Sequence, residues 1–330
     1  MKLLITGGYG FIGSNFILKL LDEFKEFKII NVDAELNGSN PKNLSTVKNY
    51  KNYQFVKGDI TNHDLMEKLI DKSDIVINFA AESFVDRSIN DANPFLSTNI
   101  LGAYTILDII TKQNKKMIQI STDEVFGSIK IGSANEESKF NPTNPYAATK
   151  ASAELLINSY FTTYNSNVMI TRCTNNYGPR QFPEKLIPKT ILLAKQNKKI
   201  PIYGNGKNIR DWIFVDDHCN AIIKILKNGQ IGESYNISAG NEVNNLTIVK
   251  KILLLMNKSE DLIEFVEDRP GHDLRYSMNS QKIKKQMNWK TNISFEKGLE
   301  TTVNWYLSNS EWWENIVKNS LNPTPWKNQS

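Results

Sequence analysis

The chain has 330 residues, 40% of them hydrophobic and 23% charged, a balance that excludes disordered, collagen-like and disulfide-scaffold proteins and gives one large domain or two ordinary ones. Forty Lys and Arg against thirty-five Asp and Glu leave a net charge of +5, dispersed along the chain, which calls for no nucleic-acid partner and suits a small anionic ligand. Two cysteines and three scattered histidines fit a reducing compartment and no metal site, no apolar run reaches the roughly 18 residues of a membrane span, and no signal peptide precedes the first strand, so a cytoplasmic protein away from membranes is expected.

That first strand, over 2–6, runs into Gly7-Gly8-Tyr9-Gly10-Phe11-Ile12-Gly13, which opens a helix over 11–23. Glycine suits such a turn because the backbone takes unusual dihedrals and must approach a pyrophosphate held at the helix N-terminus. Gly7, Gly10, Phe11, Ile12 and Gly13 are therefore candidate dinucleotide ligands, the alternative being a plain tight turn. The next strand, over 28–32, leads into Asp33. A carboxylate there accepts both ribose hydroxyls and repels a 2′-phosphate, which points to NAD over NADP.

A third strand over 54–57 leads to Asp59-Ile60, which borders an adenine or, in the case of Asp59, caps the helix over 63–71. The fourth, 75–79, ends in Phe79-Ala80-Ala81-Glu82-Ser83, where small residues let backbone pass close to a cofactor. A helix over 94–113, a strand over 117–121, a helix over 145–165 and a strand over 168–172 continue the alternation. Buried Ile- and Val-rich strands spaced by helices predict a parallel sheet covered on both faces. The fold class is thus α/β, a Rossmann-type doubly wound sheet over 1–175. Beyond it Pro, Gly and Asn thicken, as in Tyr177-Gly178-Pro179 and Asp268-Arg269-Pro270-Gly271. Residues 176–330 read as a smaller mixed α/β lobe closing over a cleft, with later segments returning to the first domain.

Tyr146 and Lys150, four apart at the start of a helix, share one face. An ammonium beside a phenol favours the phenolate, so the tyrosine can act as a base on a hydroxyl. Tyr53/Lys57 and Tyr203/Lys207 have the same spacing, but neither opens a helix after a buried strand, and both read as surface coincidences. Ser121-Thr122-Asp123-Glu124 is more distinctive. In a continuing strand Asp123 and Glu124 would point to opposite faces, so for both to reach one substrate the strand must end before them. The alternative is a solvated turn or a helix cap.

Taken with Val85-Asp86-Arg87-Ser88, Asn144-Pro145-Tyr146 through Lys150, Arg172 through Pro179, 182–188, Arg210-Asp211-Trp212 and 268–273, these motifs make the chain resemble the dTDP-glucose 4,6-dehydratases of the extended short-chain dehydrogenase/reductase family. The resemblance covers nearly the whole chain. It implies oxidation at glucose C4 with NAD, loss of water across C5 and C6, and hydride return to C6. It makes Thr122, Tyr146 and Lys150 the oxidation set, Glu124 the base at C5 and Asp123 the acid at C6. Neighbouring carboxylates and burial both raise an acid's pKa, which suits Asp123 to that part.

By the same match Ser83, Thr98, Tyr146, Lys150 and Asn176 join the cofactor residues. Ser83, Thr122, Asn175, Lys185, Leu186, Arg210, Asn245, Asp268, Arg269 and His272 bind the nucleotide sugar, with Lys185 and Arg210 apt for its pyrophosphate. Pro201 and Tyr203 line the base pocket or form an edge strand. Asp216-Asp217-His218 reads as a helix cap and not a metal site. Phe84, Phe126, Leu274 and Asn236-Ile237-Ser238-Ala239 depart from the family pattern, which usually has histidine, tyrosine, arginine and Asn-Ile-Gly-Gly there. The family also pairs the helices near 94–113 and 145–165 across a two-fold axis, so a homodimer is expected. The competing readings are a UDP-glucose 4,6-dehydratase, a UDP-sugar 4-epimerase, which needs neither acid, and a non-catalytic NAD-binding scaffold.

Overall fold

The structure, a computed structural model, describes residues 1–317 and 321–327. Strands β1 (Lys2–Thr6), β2 (Lys28–Asp33), β3 (Tyr53–Lys57), β4 (Ile75–Asn78), β5 (Lys116–Thr122) and β6 (Asn167–Cys173) alternate with helices as the sequence predicts. After them come β7 (Asn175–Tyr177), β8 (Ile200–Tyr203), β9 (Ile209–Phe214), β10 (Ser234–Ile237), β11 (Glu242–Asn244) and β12 (Ile263–Val266). Seven strands form one parallel sheet in the order β10-β6-β5-β4-β1-β2-β3.

That order reverses direction between β1 and β4, the place where open α/β sheets bind ligands. One face is sealed by Phe16, Ile17 and Leu20 of the helix Phe11–Glu23 together with Ile222 and Ile225 of the helix Val215–Asn228. The other is sealed by Met66, Ile106, Leu107 and Ile157 from three further helices. The central strands are mostly apolar because both faces are covered, and the buried polar side chains they do carry, Thr6, Asn78 and Gln119, hydrogen-bond to one another across β1, β4 and β5.

The helices Phe11–Glu23 and His63–Asp71 occupy the predicted spans. The helix expected over 94–113 is instead three pieces: Asn93–Phe95, a π-helical stretch Leu96–Gly102, and Ala103–Lys112. π turns widen a helix by one residue and often mark functional sites. Here the widened turn sets Thr98 on the cleft, while the Asn99 amide brackets the Glu82 backbone, accepting from its N–H at 2.9 Å and donating to its carbonyl at 3.0 Å.

The second half of the chain divides between two layers. The helix Val215–Asn228, β10 and the helix Gln281–Met287 join the large sheet, with Ser234 paired to Ile170. The rest builds a lobe of two small sheets, β11-β9-β7 and β12-β8, around a core containing Tyr177, Ile191, Trp212, Ile252 and Tyr306.

Candidate active site

The turn after β1 is built for close approach. Gly7 takes φ +67°, and a Cβ there would lie 2.7 Å from the Ala80 nitrogen; one on Gly13 would lie 2.5 Å from the Gly7 carbonyl oxygen. Gly10 precedes the helix Phe11–Glu23 and no side chain caps it, which leaves its first amides directed at the cleft for an anion. Asp33 is buried, and its carboxylate accepts the Tyr9 N–H at 2.9 Å and the Glu35 N–H at 2.8 Å. Burial raises its pKa while those two bonds oppose the rise; each oxygen keeps a lone pair for a ribose hydroxyl. A glycine cradle, uncapped helix amides and a carboxylate at the end of β2 fit a dinucleotide.

All sixteen residues assigned to the cofactor from the sequence line one cleft: Gly7, Gly10, Phe11, Ile12, Gly13, Asp33, Asp59, Ile60, Phe79, Ala80, Ala81, Ser83, Thr98, Tyr146, Lys150 and Asn176. The loop from Leu36 to Ser39 lines it too, and nothing in its residue types announced this. Asp59 is not the cap of the helix His63–Asp71. That cap is Asn62, whose side chain accepts the Leu65 N–H at 3.1 Å, whereas Asp59 accepts from Thr61 within its own turn.

Strand β5 ends at Thr122, and a 3₁₀ turn, Asp123–Phe126, begins at once. This is the break that lets both acids face one site. The Thr122 hydroxyl caps the turn, accepting the Glu124 N–H at 3.3 Å and donating to Asp123 Oδ1 at 3.1 Å. Asp123 is buried, and its Oδ2 has no partner among the described residues. Burial, and then the charge of Glu124, push Asp123 up to about 8, against the pull of Arg210. Glu124 is less enclosed, and its Oε2 accepts from Asn144 Nδ2 at 3.3 Å.

Asn144 also caps the helix Pro145–Tyr164 through the Ala147 N–H at 2.9 Å, so one residue holds Glu124 and starts the helix carrying Tyr146 and Lys150. Burial and the charge of Glu124 hold the Tyr146 phenol well above 10, while a hydrogen bond with Thr122 lowers it. Lys150 Nζ donates to the Ile120 carbonyl at 2.7 Å, and burial brings its pKa down to about 8. The lysine therefore spends a proton on the β5 backbone, where the sequence reading placed it simply beside the phenol.

Of the expected substrate residues, Ser83, Thr122, Asn175 and Lys185 line this cleft, and Leu186, Pro201, Tyr203, Arg210, Asn245, Asp268, Arg269 and His272 do not. Lys185 donates to the Ser83 carbonyl at 2.7 Å and lies 4.6 Å over the Phe84 ring. Most of the others form an adjoining polar cluster. Arg269 Nη1 meets Asp86 Oδ1 at 2.8 Å, Tyr203 Oη meets Asp86 Oδ2 at 3.0 Å, and His272 Nδ1 meets Asp268 Oδ1 at 2.6 Å. Arg210 stacks 4.1 Å over Tyr276 and donates to the Asp273 carbonyl at 2.9 Å. This cluster touches the acids electrostatically, since Arg210 lowers Asp123 and Glu124 raises Arg269.

Leu186 begins the helix Leu186–Lys195 and packs into the lobe core. Asn245 begins the helix Asn245–Leu255, its N–H bound to the Asn208 carbonyl at 3.1 Å. Pro201 is buried in β8, opposite Glu264 of β12, which is the edge-strand alternative. Asp217 is no helix cap: its two oxygens accept the Asn292 and Ile293 N–H groups at 2.9 and 3.1 Å. His218 faces Asn176 at 2.9 Å, and no metal-binding cluster exists among the described residues.

Residues 4–302 match the family model described as GDP-mannose 4,6 dehydratase. The chain belongs to this family. Among its relatives, the low-salt glycan biosynthesis protein Agl12 of Haloferax volcanii is 47% identical over 94% of this chain and 100% of its own. A dTDP-glucose 4,6-dehydratase of Streptomyces niveus is 41% identical over 95% of each chain. The crystal structure of a dTDP-glucose 4,6-dehydratase from Bacillus anthracis in complex with NAD superposes with a TM-score of 0.90 at 44% identity, covering 96% of this chain and 99% of that one. The doubly wound sheet is therefore a dehydratase fold with the two acids at its cofactor end. Tyr276 went unread in the sequence: its hydroxyl donates to Asp273 at 2.7 Å and lies 3.3 Å from Glu124 Oε2. Its contact spans 152 residues, beyond the reach of local pattern.

Proposed function

We propose that the chain is an NAD-dependent dTDP-glucose 4,6-dehydratase, converting a nucleoside-diphosphate glucose to the 4-keto-6-deoxy sugar and water. The observation that carries this is Asp123 and Glu124 on one short turn at the mouth of β5, above the same cleft that Tyr146 and Lys150 line. An epimerase or a simple dehydrogenase has no use for the pair. NAD, when bound, supplies a cationic ring next to the phenol and the means to oxidise C4 and later reduce C6.

The remaining steps are proton movements. Tyr146 Oη, steadied by Thr122, receives the proton of the glucose 4-hydroxyl once it is a phenolate, a form that burial disfavours and that the Lys150 ammonium and the positive charge of bound NAD would favour. A ketone at C4 acidifies the C5 proton, which Glu124 removes from its position between Asn144 and Tyr276. Asp123, protonated at neutral pH because burial and Glu124 raise it, hands its proton to the C6 hydroxyl, which leaves as water; Glu124 returns its proton to C5 as C6 is reduced, and the proton taken up by Tyr146 balances the one Asp123 gave. Lys185, Arg210, Arg269 and the residues around them receive the nucleotide diphosphate, with charge-assisted bonds that suit phosphate oxygens.

The dimer belongs to this reading as well. Leu96, Leu101 and Tyr104 on one helical segment, and Leu155 and Tyr164 on its neighbour, are at least 42% exposed, an apolar strip that a second copy would cover across a two-fold axis. No helix among the described residues is long and apolar enough to cross a membrane. Turnover on dTDP-glucose against UDP-glucose tests the nucleotide assignment. Faster turnover per micromolar dTDP-glucose is expected, and preference for UDP-glucose would reassign the substrate.

A further inference from the structure

Residues 321–327 lie beyond the stretch matched by the family model, which ends at 302, yet they are fastened to the substrate lobe at four points. Leu321 packs on the cluster of Leu193, Ile200, Ile202 and Leu253. The Asn322 carbonyl accepts from Lys189 Nζ at 2.8 Å, and Lys327 pairs with Glu267 next to β12. Between them Trp326 is buried with its ring edge-on to Tyr203, the centroids 4.6 Å apart and the planes at 81°. Tyr203 is held from the opposite end by its hydroxyl on Asp86, whose second oxygen takes Arg269. The Arg269 Nε is buried and has no partner among the described residues, a donor left over for an acceptor such as a phosphate oxygen.

We infer that this C-terminal strap, through Trp326, is a positioning element of the nucleotide site: it fixes Tyr203 on Asp86, and so aims Arg269 at the substrate's diphosphate. The inference rests on the dehydratase reading for the identity of the ligand. Without the indole, Tyr203 gains rotational freedom, Asp86 loses one of its two fixed partners, and the guanidinium must be ordered anew at each binding event. The chemistry at C4, C5 and C6 uses none of these groups, so the effect falls on substrate affinity and not on the turnover of bound substrate.

The test uses the full chain and the variants Trp326→Ala, Trp326→Phe, Tyr203→Phe and the Trp326→Ala/Tyr203→Phe double variant. Thymidine diphosphate is titrated by calorimetry, and KM and kcat are measured with dTDP-glucose. Trp326→Ala should weaken thymidine diphosphate and raise KM by about tenfold, with kcat within about twofold of wild type. Trp326→Phe should recover most of the loss. The double variant should bind no more weakly than the poorer single, because both act through one path. Unchanged affinity in Trp326→Ala, or additive losses in the double variant, would overturn the inference. Should Trp326→Ala fail to fold, Trp326→Leu is read on the same two measurements. A wild-type chain that binds no thymidine diphosphate removes the thymidine-nucleotide reading on which the inference rests, whereas wild-type binding that ignores the indole removes the strap alone.

Discussion

Replacing Asp123 by Asn keeps the shape of the 3₁₀ turn and removes the one proton the mechanism needs at C6. With the carboxyl raised to about 8, about nine in ten wild-type molecules hold that proton at pH 7 and about one in ten at pH 9. Water loss should therefore fall on the alkaline side of pH 8, and in Asp123→Asn it should drop by roughly 10²–10⁴ at every pH. Tyr146, Thr122 and Glu124 stay in place, so substrate recovered from the variant in heavy water should carry deuterium at C5 although little product forms.

The same shift has a consequence for stability. Between the unfolded value near 4 and the folded value near 8, the native state holds a proton that the unfolded chain has released. Its contribution is complete at low pH and is lost as pH rises, by about 1.4 kcal/mol per pH unit. The wild type should thus lose about 2–3 kcal/mol relative to Asp123→Asn between pH 6 and pH 8, read from paired denaturant midpoints. Wild-type rates of water loss in the variant, or a stability difference flat across that range, would refute the account of a protonated buried acid.

Tyr146→Phe removes the first proton acceptor, so both C5 exchange and product should fall by about 10²–10⁴, with NAD content unchanged by absorbance of the denatured protein. NADP should bind far more weakly than NAD to stripped protein by calorimetry, since its 2′-phosphate would face the Asp33 carboxylate; equal affinities would remove Asp33 from the ribose. Light scattering at micromolar protein should give twice the chain mass, and Leu101→Glu with Leu155→Glu should give a monomer. A monomeric wild type would reassign the apolar strip on those helices.

The parallel sheet was legible because its strands are apolar on both faces and its turns carry glycine where the backbone crowds, as Gly7 does against Ala80. The break before Asp123 was legible too, since two adjacent acids cannot share a face while a strand continues. The π turn at Leu96–Gly102 was not: its residues suit an ordinary helix, and the widening accompanies long-range contacts, Asn99 to Glu82 and Gly102 packed under Ile60. Asp59 and Asp217 carried the chemistry of helix caps, but a turn and a distant loop claimed their oxygens. The nucleotide cluster around Asp86 joins residues from β8, from the loop after β12 and from the helix Val85–Asn90. Tertiary packing alone brings these together, and the same is true of Trp326.

In the proposed reaction hydrogen leaves C4 and returns to C6 of the same sugar while water is lost between C5 and C6. Incubating the purified chain with dTDP-glucose deuterated at C4, and following the sugar by NMR and mass spectrometry, tests it most directly. The expected product is lighter by one water and carries the deuterium in the new C6 methyl group. Unchanged mass with the label still at C4, or an epimerised sugar that has lost no water, would contradict it.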